Sequence, residues 1–149
     1  MPANPRVAGF LSQALNHEMT VVQQYLTQAS LCELWGLGRE AAYFRREAGE
    51  ELEHAGQIIR HMLGLGLLPN ATQLAPVRPG RDPREMLLLD RKLELDAVLL
   101  YAEALRHAQR FRDAASGQLF AALLADEEAH LAEIDRMLAP PSEQETPHG

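Results

Sequence analysis

Residues 51–54 read Glu-Leu-Glu-His, and residues 127–130 read Glu-Glu-Ala-His. Each segment sets a carboxylate and an imidazole three positions apart, which on a helix is one face, about 4.5 Å along the axis. Each is also preceded by a glutamate at the same distance, Glu18 before Glu51 and Glu94 before Glu127. The triplets Glu18–Glu51–His54 and Glu94–Glu127–His130 are thus one pattern repeated at a constant offset, and Tyr25 and Tyr101 share that offset. A lone Glu-x-x-His is ordinary on a solvated helix. Two copies in register, each tied to a glutamate on an apolar stripe, are specific.

The surrounding residues predict helices and no sustained strand alternation. Asn4-Pro5 is an N-cap followed by proline at the first helical position, and Leu11, Leu15, Glu18, Val22 and Tyr25 follow at three-and-four spacing. Gly36 and Gly38 end this helix near Trp35. A second helix is expected from about Arg39 to Leu63, with Phe44, Glu47, Glu51, His54 and Ile58 on one face and Gly64 and Gly66 as its stop. Residues 65–82, with Pro69, Pro76, Pro79 and Gly80, read as a linker within one domain. Asp82-Pro83-Arg84-Glu85 then starts a third helix that runs to about Arg110. Asp113 caps a fourth, ending near Leu138 before Pro140-Pro141. One domain over 1–139 is expected, with a polar tail, 140–149, that has no core pattern and reads as disordered.

The linker decides the topology. Extended, it reaches roughly 60 Å, whereas a helix of about 25 residues is about 38 Å long. It can therefore run the length of the bundle, giving an all-α four-helix bundle with one long crossover between helices two and three. Glu18 and His54 lie nearly equidistant from the bend at Leu37, and Glu94 and His130 nearly equidistant from the bend at Asp113. Packing the two hairpins together brings four carboxylates and two imidazoles to one level of the core. Such a cluster repels itself and is costly to bury without counter-charge. Two divalent cations resolve the conflict, and mixed oxygen and imidazole donors suit Fe, Mn or Zn better than Ca or Mg.

Composition excludes other classes. The net charge is −7, from 14 Lys+Arg and 21 Asp+Glu. No clustered basic face suits a nucleic acid; Arg45-Arg46 and Arg91-Lys92 read as solvated pairs. No apolar run approaches the ~18 residues of a membrane span, and the start of the chain lacks the plan of a signal peptide. The only cysteine is Cys32, which excludes an intrachain disulfide and a CxxC metal knuckle. A cytoplasmic protein is expected.

From about Val7 to Leu138 the chain resembles the bacterioferritins, ferritin-like proteins. The resemblance rests on Asn16-His17-Glu18, Gln24-Tyr25, Trp35-Gly36-Leu37, Glu51-Leu52-Glu53-His54-Ala55, Gly66-Leu67-Leu68-Pro69-Asn70, Leu93-Glu94-Leu95-Asp96 and Asp126-Glu127-Glu128-Ala129-His130. It implies a di-iron centre in which Glu51 and Glu127 bridge two irons, Glu18 and His54 complete one site, and Glu94 and His130 the other. It implies ferroxidase activity, an oxidoreductase that turns Fe(II) into Fe(III) with O2 or H2O2, and a role in iron storage and iron homeostasis. Tyr25 resembles a family tyrosine beside the iron site and reads either as an electron source or as a core tyrosine with a satisfied hydroxyl. The family also forms homo-oligomers, from dimers to a 24-subunit cage.

Three departures from the family stand out. Leu52 stands where a Met ligates haem between paired subunits, so haem is not expected. Arg46 and Glu50 stand where an inner-surface iron site uses His and Asp. The fifth helix that lines the cage's four-fold axis is expected to be truncated, since only Pro140–Gly149 follow the fourth. Glu47, one turn before Glu51, reads either as a gate or transient ligand or as a solvated carboxylate. His17, His61 and His107 read as structural or surface residues, Trp35 and Phe111 as packing residues near helix ends, and Cys32 as inert. The rival readings are another di-metal oxidase, peroxidase or catalase, and a non-catalytic metal carrier or zinc-held scaffold.

Overall fold

The computed structural model describes residues 3–141. Four helices follow one another: α1 (Pro5–Leu34), α2 (Gly38–Gly64), α3 (Pro83–Arg110) and α4 (Ala114–Leu138). The caps lie where the sequence places them. Asn4 accepts hydrogen bonds from the Arg6 and Val7 amides, Asp82 from Glu85, and Asp113 from Ser116. The expected disordered tail falls, beyond Pro141, outside the described residues.

α1 pairs with α2 and α3 with α4, and the hairpins meet through α1 on α3 and α2 on α4. Both hairpin bends close alike. The Leu37 amide donates to the Cys32 carbonyl at 2.8 Å and the Asp113 amide to Ala108 at 2.8 Å. The left-handed residue each bend needs is Gly36 (φ 75°) in the first but Arg112 (φ 57°) in the second. Trp35 and Phe111 occupy the equivalent C-caps; at 43% and 45% exposure they pack less than the sequence suggests.

The crossover runs along α1 on a polar ladder. Asn16 Oδ1 accepts from the Gln73 amide (2.7 Å), Thr20 Oγ1 from Ala75 (3.2 Å) and Gln24 Oε1 from Arg78 (3.2 Å), while Gln28 Nε2 donates to the Pro79 carbonyl (3.0 Å). These four side chains recur every four residues, so one edge of α1 satisfies backbone groups that the linker cannot pair with itself. Gln24 and Gln28 also donate to the buried Asp90 of α3, at 2.9 and 2.8 Å.

Two apolar clusters flank the middle of the bundle. One gathers Leu11, Leu15, Ile58, Met62, Phe120 and Leu123; the other gathers Val21, Ala29, Phe44, Met86 and Ile134. Cys32 is buried in the second, 3.8 Å from Met86 Sδ. The level between the clusters is polar.

Candidate metal centre

That level holds the six residues of the repeat. Glu18 from α1 and Glu94 from α3 are fully buried, as are Glu51 from α2 and Glu127 from α4, and His54 and His130 are nearly so. The intervals from each bend put them at one height, and the apolar stripes turn them inward. His54 Nδ1 lies 3.0 Å from Glu127, 3.5 Å from Glu51 and 3.7 Å from Glu18. His130 Nδ1 lies 2.9 Å from Glu51, 3.6 Å from Glu127 and 3.7 Å from Glu94. The rings stack at 6.0 Å between centroids. Two groups of donor atoms result, Glu18–Glu51–His54–Glu127 and Glu51–Glu94–Glu127–His130, each with its atoms within 4.8 Å of one another. Glu51 and Glu127 belong to both.

The electrostatics follow from burial. Desolvation raises every carboxylate, but neighbouring hydrogen bonds and the histidines pull Glu18 and Glu94 back below the usual range. Burial and the nearby Glu18 carboxylate push Glu51 up to about 8. Burial and the Glu94 contact push Glu127 up to about 12. Burial disfavours charged imidazoles, yet the carboxylates outweigh it: Glu51 and Glu94 push His130 up to about 12, and Glu127, Glu18 and Glu51 raise His54 further. In the ion-free protein, protons therefore supply the positive charge that the carboxylates require.

A fit to cations is visible in the unpartnered atoms. Glu18 Oε2, both Glu51 oxygens, His54 Nδ1, Glu94 Oε2, Glu127 Oε1 and His130 Nδ1 are buried without a hydrogen-bond partner. Buried polar atoms are normally paired; these seven are donors suited to metals and converge on one volume, while Gln28 Oε1, Glu47 Oε2, Asp90 Oδ2 and His107 Nδ1 are unpartnered outside the six-residue set.

Around them lie further polar groups, among them Asp126, which the pattern alone does not identify. Tyr25 donates to Glu94 Oε1 at 2.8 Å, and Tyr101, its mate in the repeat, donates to Glu18 Oε1 at 2.5 Å. Asp126 and Glu50 contact the outer nitrogens of His54 and His130. Glu47 is buried, not solvated, with burial pushing it up to about 7; its Oε2 lies 3.6 Å from His130 Nε2. Arg46 binds Glu133 at 3.0 Å and lies 3.5 Å from Glu47. His17 meets the Leu93 carbonyl, His61 meets Ser116, and His107 stacks near Phe10 and Phe111, all away from the cluster.

A one-crossover helical bundle of this kind defines the ferritin-like class of proteins. The model of the ferritin-like domain family matches residues 9–140. Rhodobacter capsulatus bacterioferritin is 37% identical over 93% of this chain and 86% of its own. Bacterioferritins of Brucella melitensis and Streptomyces coelicolor are 36% and 34% identical, covering 86% and 83% of their own lengths. The solved structure of the Rhodobacter capsulatus protein, which has a metal-free dinuclear site and a haem iron in a crystallographic special position, aligns with a TM-score of 0.90 at 38% identity. It covers 93% of this chain and 86% of that one. The chain belongs to the ferritin-like family, among the bacterioferritins.

Proposed function

We propose that this chain is a ferroxidase that oxidises Fe(II) for storage at a paired-metal centre held by Glu18, Glu51, His54, Glu94, Glu127 and His130. Membership of the bacterioferritins supports iron oxidation and storage. The observation that carries the residue assignment is the convergence of unpartnered buried donor atoms from all six side chains. Glu18 and His54 would hold one ion and Glu94 and His130 the other, with Glu51 and Glu127 spanning both. Bound iron supplies one-electron redox chemistry, each Fe(II) losing one electron to O2 or H2O2. Glu18 and Glu94 are oriented by the phenols of Tyr101 and Tyr25. Burial and Glu94 hold Tyr25 well above the usual phenol range, so it stays protonated. In this reading Tyr25, hydrogen-bonded to Glu94, is the source of an additional electron for the oxidant. The buried walls exclude bulk water from the ligand set.

Anaerobic Fe(II) titration followed by oxygen tests the reading. Two irons per chain and rapid oxidation are expected, with the oxidation lost in Glu51→Ala and Glu127→Ala while helicity is retained. A double variant that oxidises Fe(II) as fast as the parent overturns the assignment.

Haem is not part of this reading. Leu52 has no donor atom and is 54% exposed on α2. Protein expressed with excess haem should lack a Soret band, and a stoichiometric bis-thioether spectrum refutes this. Leu26 and Leu52 are exposed apolar side chains of α1 and α2, suited to a two-fold contact between copies. A cage is the larger assembly proposed, tested by light scattering for a mass near roughly 24 chains of 16.6 kDa. A cytoplasmic location accords with the described residues, no helix of which is long and apolar enough to cross a membrane.

A further inference from the structure

We propose that the end of the bundle where α1 begins and α3 turns into α4 binds a phosphate-class oxyanion, with Arg6, Arg106, Arg110 and Arg112 as its cationic wall. α1 and α4 start at this end and α2 and α3 finish there, around a core that includes Val7, Met62, Ala108 and Phe120. The segments that form it, residues 3–13, 56–66 and 103–118, hold five arginines against two acids, Glu103 and Asp113, in a chain of net charge −7. Asp113 is already occupied. Its Oδ1 accepts from the Ser116 amide at 3.0 Å and its Oδ2 from the Ser116 hydroxyl at 2.7 Å. Arg60 reaches Glu53 at 3.9 Å. The other four guanidiniums are exposed and have no ion pair among the described residues, whereas Arg45, Arg81, Arg91 and Lys92, toward the opposite end, all have carboxylate partners.

The sign of this charge runs against the helices. A helix start carries partial positive charge and favours acids. At the opposite end α2 and α3 follow the rule, with Glu40 and Glu85 in their first turns. Here neither α1 nor α4 has an acid in its first turn; α1 carries Arg6 there, and Arg112 directly precedes the α4 cap. The C-terminus of α3 accounts for His107 and Arg110 in its last turn, but not for Arg6 or Arg112. Arg112 also sits at φ 57°, where the equivalent bend has Gly36. The fold draws the two ends of the cluster together: Arg6 and His107 line one cavity of about 300 Å³, with Phe10, Gln13 and Glu103. His107 stacks on Phe10 at 5.1 Å and on Phe111 at 6.3 Å.

An external anion answers all of these charges at once. The guanidinium fork matches the oxygens of a tetrahedral oxyanion two at a time, and a doubly charged one offsets more than a single arginine. The patch covers one bundle end, which suits a small anion. A nucleic-acid duplex needs a long basic face, and the remaining surface is acidic. The competing explanation is diffuse attraction to any exposed arginine. Arg39 and Arg136 separate the two. Both are exposed and without an ion pair among the described residues, but each lies toward the opposite end and next to an acid, Glu40 or Asp135.

The experiment titrates the full chain, freed of iron so that phosphate meets no metal, with inorganic phosphate at an ionic strength held constant with chloride. The phosphorus resonance reads binding and the thermal midpoint reads its effect on the fold. The parent should bind saturably, and phosphate should raise its midpoint. Arg106→Gln and Arg112→Gly should each weaken binding about 10-fold, and Arg6→Gln combined with Arg106→Gln should abolish it. Arg112→Gly should do so while making the phosphate-free chain more stable, which excludes unfolding as the cause. Arg39→Gln and Arg136→Gln should match the parent. A parent without saturable binding overturns the proposal. So do losses as large in Arg39→Gln and Arg136→Gln, which would mean diffuse charge. A short DNA duplex that binds far more tightly than phosphate, and is lost in the same arginine variants, overturns the small-anion assignment. None of these outcomes depends on the metal reading.

Discussion

Loading the centre with cations should expel protons, and the number follows from the charges in the core. Without ions at pH 7, Glu18 and Glu94 are ionised while His54 and His130 are protonated. Burial holds Glu51, at about 8, and Glu127, at about 12, mostly in their neutral forms. Two negative and two positive charges leave the cluster neutral, as a low-dielectric interior demands. Two divalent ions with four carboxylates and two neutral imidazoles are neutral as well. The exchange thus displaces about four protons per chain, roughly two per ion. Below pH 8, where the protons are present, apparent affinity should rise about 100-fold per pH unit for each ion, and the rise should slacken above it as Glu51 ionises in the free protein. Anaerobic calorimetric titration with Co(II) in buffers of different ionisation enthalpy measures the release directly. Release of about one proton or fewer for two bound ions would refute the neutral-cluster account.

Three further outcomes test the fold. Replacing Arg112, held at φ 57° where the equivalent bend has Gly36, with Gly should stabilise the protein by about 1 kcal/mol; an unchanged or lower urea midpoint contradicts this. A β-carbon at Gly80 would lie 2.9 Å from the Met86 backbone nitrogen, at φ 94°. Gly80→Ala should therefore cost about 1–3 kcal/mol, visible as a lower thermal midpoint. Burial pushes Asp90 up to about 7 against the pull of Gln24 and Gln28. Its folded pKa exceeds its unfolded one, so its contribution is present below about pH 4 and falls by roughly 1 kcal/mol per unit until pH 7. Asp90→Asn keeps an acceptor for both glutamines. Its stability relative to the parent should grow across that window, and a pH-independent difference would refute the assignment.

The helices and the six-residue cluster were legible because both are written locally and twice. Asn4-Pro5 and Asp82-Pro83 announce helix starts with side chains that act within one turn, and the repeat converts two short intervals into a common height in the bundle. The crossover's length was legible, but its track was not. Asn16, Thr20, Gln24 and Gln28 read as ordinary polar positions until the linker's amides lie against them, although their four-residue spacing was the available signal.

What stayed hidden shares one property: its meaning depends on a partner from another helix. Asp126 and Glu50 are exposed acids in an acidic protein; Glu50 stood out only for its place at the family's inner-surface iron position, and nothing in the sequence ties either acid to a histidine. Only the pairing of α2 with α4 brings each to the facing histidine. Glu47 shows the same limit with opposite sign. Its stripe position left a buried or a solvated reading open, and the packing of α4 makes it buried. The repeat still carried information that a single motif would not. Tyr101 could be expected beside Glu18 once Tyr25 is placed beside Glu94, and the structure puts both phenols there. An internal two-fold relation therefore extends a reading from one half of the site to the other, whereas contacts made across the hairpins must be seen in three dimensions.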